Sequence, residues 1–124
     1  MERYKYYLLI SMCMEISKEN IIRIAKGFNG ELRNDASIEY ALDKQQDVKL
    51  GDYKKLAYII RAIIIDHPFT DGNKKTAAYV CFVFAEQYNK QIDQEILKHQ
   101  MISIASKNIN SIRAIEERLK SAIK

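Results

Sequence analysis

Apolar residues recur three and four positions apart along most of this chain, and that spacing predicts helices. Ile21, Ile22, Ile24, Ala25 and Phe28 share a face behind Ser17, an N-cap with Asn20 in the first turn, and Gly27 and Gly30 close the segment. A second, short helix fits Ala36 to about Leu42, capped by Asp35, with Ile38, Ala41 and Leu42 on one side. The polar stretch 43–51 (DKQQDVKLG) reads as a loop or a short extended flap. Asp52 is expected to cap a strong helix carrying Leu56, Ala57, Ile59, Ile60, Ile63 and Ile64. Pro68 stops that helix, because the residue before a proline avoids the α region. From Lys74 to about Asn89 the middle reads AAYVCFVFA, apolar on every side, which predicts the centre of the domain. Asp93 and Ser111 cap two further helices, the first with Ile96, Leu97, Met101, Ile102 and Ile104, the second with Ile112, Ile115, Leu119 and Ile123. The run 4–14 fits helix or strand equally. The expected class is all-α, a compact bundle of about six helices around a buried central helix.

Composition narrows this picture without redirecting it. At 124 residues the chain is expected as a single domain, 1–124, with residues 1–16 an N-terminal extension of no derivable role. One Pro and four Gly favour long regular elements over a turn-rich β-sandwich. Twenty Lys and Arg against sixteen Asp and Glu leave a net charge of +4. These charges are spread from Arg3 to Lys124 with no basic stripe, and Lys90 to Lys98 is mixed in sign, so no nucleic-acid partner is expected. The apolar run near the N-terminus falls short of the roughly 20 residues a membrane span needs, and no small-residue cleavage site follows it. The reading is therefore a cytoplasmic chain with no membrane partner. Cys13 and Cys81 sit among apolar neighbours without zinc-ligand spacing, and are expected as buried thiols of a reducing compartment.

One segment breaks the rules of good helix design. His67-Pro68-Phe69-Thr70-Asp71-Gly72-Asn73-Lys74-Lys75-Thr76 delivers the chain into the start of the apolar helix. A helix N-terminus exposes unpaired N–H groups and a positive dipole end, and favours Asp or Glu in its first turn. Lys74 and Lys75 stand there instead, and no acidic residue follows until Glu86. Each costs on the order of 0.3–1 kcal/mol at low salt unless an anion normally occupies the place. Gly72 lets a backbone approach a ligand closely, and Asn73 offers side-chain hydrogen bonds. Asp71 could cap the helix or hold Mg²⁺, and His67 is the residue type most often used as a general base. Taken singly, each residue has an ordinary structural use: an N-cap, a structural histidine, a core phenylalanine, solvated lysines. Together within so short a stretch they form a phosphate cradle with a base beside it.

HPFTDGNKKTA also resembles the signature of the Fic/Doc superfamily, His-x-Phe-x-(Asp/Glu)-Gly-Asn-x-(Arg/Lys), and is most similar to the Doc (death-on-curing) branch. The upstream stretch GELRNDASIEYAL is similar to a G-x-R-D-x-x-x-L-x-x-A-L stretch of Doc-like proteins. The resemblance implies a compact helical fold with the active loop at a central helix N-terminus. It implies His67 as the base taking a proton from a target hydroxyl, Phe69 as the loop's core anchor, and Asp71 as the Mg²⁺ ligand. Gly72 and Asn73 would supply an anion hole, Lys74 and Lys75 would clamp the phosphates of ATP, and Thr76 would complete the nucleotide site. The 43–51 loop would be the flap that aligns the target. Doc relatives move the γ-phosphate of ATP onto elongation factor Tu and are neutralised by a Phd-type antitoxin; Fic relatives transfer AMP to a protein hydroxyl.

Departures from the pattern bear on that choice. Nucleotidyl-transferring members carry Gly-Arg after Gly-Asn and a second Arg three residues later, where this chain has Lys74, Lys75 and Ala78. That favours the kinase branch, although Lys75 cannot make the bidentate phosphate fork of an arginine. The expected function is a Doc-like toxin that phosphorylates a protein hydroxyl, with AMP transfer or a catalytically inactive binding module as alternatives. A His-Asp phosphohydrolase would need more than the two histidines present, His67 and His99. A self-inhibitory Ser-x-x-x-Glu-(Gly/Asn) helix is half matched by Ser11 to Glu15, and an inhibitor acting in trans is the stronger expectation.

Overall fold

The structure, a computed structural model, describes residues 15–124. Six helices follow one another: α1 Lys18–Gly27, α2 Ala36–Gln45, α3 Asp52–Asp66, α4 Asn73–Gln87, α5 Gln94–Ser106 and α6 Ile112–Ala122. Among the described residues there are isolated β-bridges but no strands. The all-α bundle around a buried helix is thus the architecture, but its centre is α3 and not the helix that begins at 73. α3 packs against α2, α4, α5 and α6 and buries Leu56, Ala57, Ile59, Ile60, Ala62, Ile63 and Ile64. Fully burying one such isoleucine contributes about 1.5–3 kcal/mol relative to leaving it exposed. α4 packs against α1, α3 and α5, and shows Tyr79 (49% exposed) and Phe82 (39%) on its outer side. An all-round apolar composition does not distinguish large side chains that finish at the surface from aliphatic ones that fill a core.

The helix starts sort into two kinds. Ser17 Oγ accepts from Asn20 N at 3.1 Å, Asp93 Oδ1 from Ile96 N at 3.1 Å and Ser111 Oγ from Ala114 N at 3.3 Å, as their sequence positions predict. Asp35 and Asp52 do other work. Asn34 Oδ1 accepts from Ala36 N at 2.9 Å, while the Asp35 carboxylate meets Lys18 Nζ at 3.1 Å. Gly51 holds the cap position of α3, and Asp52, inside the first turn, accepts from the Tyr88 hydroxyl at 3.0 Å. Three helix ends share a stop that the glycine pattern does not show. Asn29, Asn89 and Asn108 are left-handed (φ 63, 54 and 50°), and the next N–H in each case returns to a carbonyl of the last turn. At the end of α1 this bond runs from Gly30 N to Ala25 O, at 2.8 Å.

Two tethers place the functional region. Residues 31–34 run beside 67–70: Leu32 bridges Phe69, Thr70 N donates to Glu31 O at 2.9 Å, and Arg33 N donates to Pro68 O at 2.8 Å. Gly30 is buried where an added Cβ would collide with the Asp71 carbonyl, so only glycine lets the loop close on α1. Elsewhere, Gln45 and Gln87 each clamp the N–H and C=O of one residue in the segment leading into α1. Gln45 Nε2 donates to Ile16 O at 2.9 Å and Gln87 Nε2 to Glu15 O at 2.7 Å. Cys81 is a buried free thiol, as expected. Cys13, the helix-or-strand choice for 4–14 and the Ser11 end of the half-matched inhibitory motif lie outside the described residues. No described helix is long and apolar enough to cross a membrane.

Candidate active site at the start of α4

α3 ends at Asp66, and His67 takes the left-handed conformation (φ 49, ψ 60°) that turns the chain out of the helix. Phe69, with no exposure, pins the middle of the loop in the core. Asn73 then staples the loop from below: its Oδ1 accepts from Phe69 N at 3.2 Å and its Nδ2 donates to Phe69 O at 3.0 Å. Gly72 (φ 71°) lies against Phe28, where a Cβ would come within 2.7 Å of that residue's Cβ and carbonyl oxygen. The loop is therefore gripped on both sides before any ligand arrives.

The result is an open cleft of about 440 Å³. One wall is the end of α1 (Gly27, Phe28, Asn29); the other comprises His67, Thr70, Asp71, Gly72, Asn73, Lys74 and Lys75. Gly72 caps α4 with no side-chain hydrogen bond, and the first turn holds no acid. Among the described residues the N–H groups of Asn73, Lys74 and Lys75 have no acceptor; Thr76 N is the first to bond, to Gly72 O at 2.8 Å. Neither lysine has an acidic partner among the described residues, and both are exposed. Three free donors and a dipole end thus meet one cleft, the chemistry of an anion site, with Lys74 and Lys75 on its lining and also on that of the neighbouring groove between α4 and α5. Asp71 stands beside it, with Oδ1 accepting from Gly72 N at 2.7 Å. No group of three or more His, Cys, Asp or Glu side chains among the described residues could hold a metal by itself. A Mg²⁺ ion at Asp71 would take its remaining oxygens from phosphate and water, which is how that ion is commonly held.

A model of the Fic/DOC family matches residues 14–85, more than half of the chain, from α1 through the loop to most of α4. This chain belongs to the Fic/DOC family. Members of that family are typically transferases acting on protein hydroxyls. Neither a curated protein nor a solved structure matches the chain.

Set on this Fic/DOC domain, the residues singled out by sequence divide into groups. His67, Asp71, Gly72, Asn73, Lys74 and Lys75 all line the cleft. Asn73, however, spends its side chain on Phe69, so its backbone N–H is what faces an anion. Thr76 is not at the cleft: it has no exposure, and its hydroxyl has no hydrogen-bond partner among the described residues. One turn into α4 its side chain points into the bundle, and as a nucleotide contact it is withdrawn. The 43–51 segment is also elsewhere. Residues 43–45 finish α2, 46–51 form a turn, and Asp43, Gln45 and Gln46 adjoin Ser17 and Asn20 at the start of α1. The cleft lies at the other end of α1, a helix about 15 Å long. The strip beside the active loop is 31–34 instead. Phe28 and Asn29 as cleft wall, and Arg33 behind the loop, were missed. The GELRN stretch contained Arg33, but nothing in its composition says which loop it meets.

Proposed function

We propose that this Fic/DOC domain transfers the γ-phosphate of ATP to a hydroxyl of a target protein. The observation that supports this reading best is the single cleft in which His67, Asp71 and the unpaired start of α4 with Lys74 and Lys75 converge. The N–H groups of 73–75 and the two ammonium groups bind and orient the phosphates. Mg²⁺, when bound through Asp71, offsets phosphate charge. The His67 imidazole accepts the proton of the attacking hydroxyl as its oxygen bonds to the γ-phosphorus and ADP leaves. Lysine at 74, and alanine where nucleotidyl-transferring relatives carry a second arginine, favour phosphoryl over AMP transfer. By the same resemblance the target is a translation factor such as elongation factor Tu, the biological role is that of a toxin, and its control is a Phd-like antitoxin.

The test is incubation with Mg²⁺ and ATP labelled at the α or the γ position, with translation factors as acceptors. The expected result is label from γ only, lowered about 10²- to 10⁴-fold in His67→Ala, the usual worth of a positioned base. Label from α would assign AMP transfer instead. No label from either, with wild type and His67→Ala alike, would leave a binding module. A wild-type chain whose expression leaves cell growth unaffected would remove the toxin role.

A further inference from the structure

α3 ends without the means by which its neighbours end. Its final residue is Asp66, and Pro68 has no N–H to make the return bond that Gly30, Lys90 and Ile109 make elsewhere. The cap residue, His67, is a non-glycine side chain in the left-handed region, a conformation costing roughly 1–3 kcal/mol and held only when its surroundings dictate it. The surroundings that do so come from residues 33 and 34. Arg33 Nη2 donates to His67 O at 2.9 Å, Arg33 N to Pro68 O at 2.8 Å and Asn34 N to Pro68 O at 3.4 Å. A guanidinium at the negative end of a helix dipole, bonded to the carbonyl that the left-handed turn exposes, replaces the missing cap.

We infer that Arg33 is a positioning residue for His67: it fixes the backbone at 67 and thereby the direction in which the imidazole leaves the chain. It rests on the proposed role of His67 only for its kinetic consequence. Arg33 is absent from the cleft lining, so it acts through the peptide it holds and not on the phosphates. The rest of the clasp survives its truncation, since Thr70 N to Glu31 O, Glu31 N to Thr70 Oγ1 and the Arg33 N–H itself involve no part of the Arg33 side chain. Arg33→Ala is therefore expected to loosen one residue without unfolding the loop.

Two histidines make the measurement simple. In full-length protein at fixed pH, the His67 imidazole carbon–proton NMR cross-peak is expected to shift or broaden in Arg33→Ala, with His99 unmoved as the internal control. Arg33→Lys, which keeps a donor and a charge, is expected to return it towards its wild-type position. With γ-labelled ATP, Arg33→Ala is expected to lower kcat about 10- to 100-fold, the scale of a misplaced reacting group, with KM for ATP within about twofold. An unmoved His67 cross-peak, or a loss expressed in KM for ATP, overturns the inference. Should no form of the protein transfer label, the proposed function falls and the cross-peak alone decides the role of Arg33.

Discussion

Thr76 is the buried hydroxyl without a partner among the described residues. An unpaired buried hydroxyl costs about 1–3 kcal/mol by mutational measures, so Thr76→Val, close in shape, is expected to raise the urea midpoint and leave ATP binding unchanged. A drop in ATP affinity would return the hydroxyl to the site. Gly72 lies at the opposite extreme. Gly72→Ala adds a Cβ to a left-handed backbone already against Phe28, and is expected to destabilise the fold by about 1–3 kcal/mol in chemical denaturation while weakening nucleotide binding. Asn73 shows how a residue type can be right and its use different. Its amide reads like a ligand donor in sequence, but the nearest peptide, Phe69, claims both polar atoms.

At the scale of elements, the start of α4 lacks the acidic residue that would suit its dipole end. Lys74→Glu and Lys75→Glu place negative charge at the positive dipole end, so each is expected to raise Tm of the nucleotide-free protein at low salt. Each is also expected to raise KM for ATP, and the Tm gain to shrink as salt screens it. The helices themselves were legible because the isoleucine faces of α1, α3 and α6 repeat at helical spacing. Ser17, Asp93 and Ser111 also cap by contacts within a few residues of themselves. What needed the tertiary structure was anything decided by a distant neighbour. Asp35 is drawn to Lys18 and Asp52 to Tyr88. The polar 43–51 stretch has the composition of a flap, but its place at the far end of α1 follows from where α2 runs. Six of the seven cleft residues of 67–75, all but Thr70, were readable because one short loop carries them; the α1 wall was not, since Phe28 and Asn29 belong to another part of the chain.

Across the whole molecule, Cys81 reports on the integrity of the core that holds the cleft. Burial pushes its thiol well above the ordinary 9.0. Unfolding exposes it to water, where it ionises above that value, so the unfolded state then binds fewer protons than the folded one. Stability falls as pH rises through and beyond about 9, by at most about 1.4 kcal/mol per pH unit from this group. Cys81→Ala is expected to lack that component when urea midpoints are compared between pH 8 and 10.5, and an identical slope would mean the thiol is accessible in the native state. The chain's end is drawn into the same unit. Tyr53 Oη donates to Ile123 O at 2.7 Å and Lys124 N to Gln91 O at 2.8 Å, tying the last residues to α3 and to the turn before α5.

The stop at Asn29-Gly30 bears on how the protein ages. An asparagine followed by glycine deamidates when the next backbone nitrogen attacks the side-chain amide, and the isoaspartate that results lengthens the main chain by one carbon. Here that nitrogen is bonded to Ala25 O within a left-handed turn, and so is held from reacting while the fold persists. Chemical damage at the mouth of the cleft is therefore a record of past unfolding, written into a strand of backbone that cannot afterwards close as it did before.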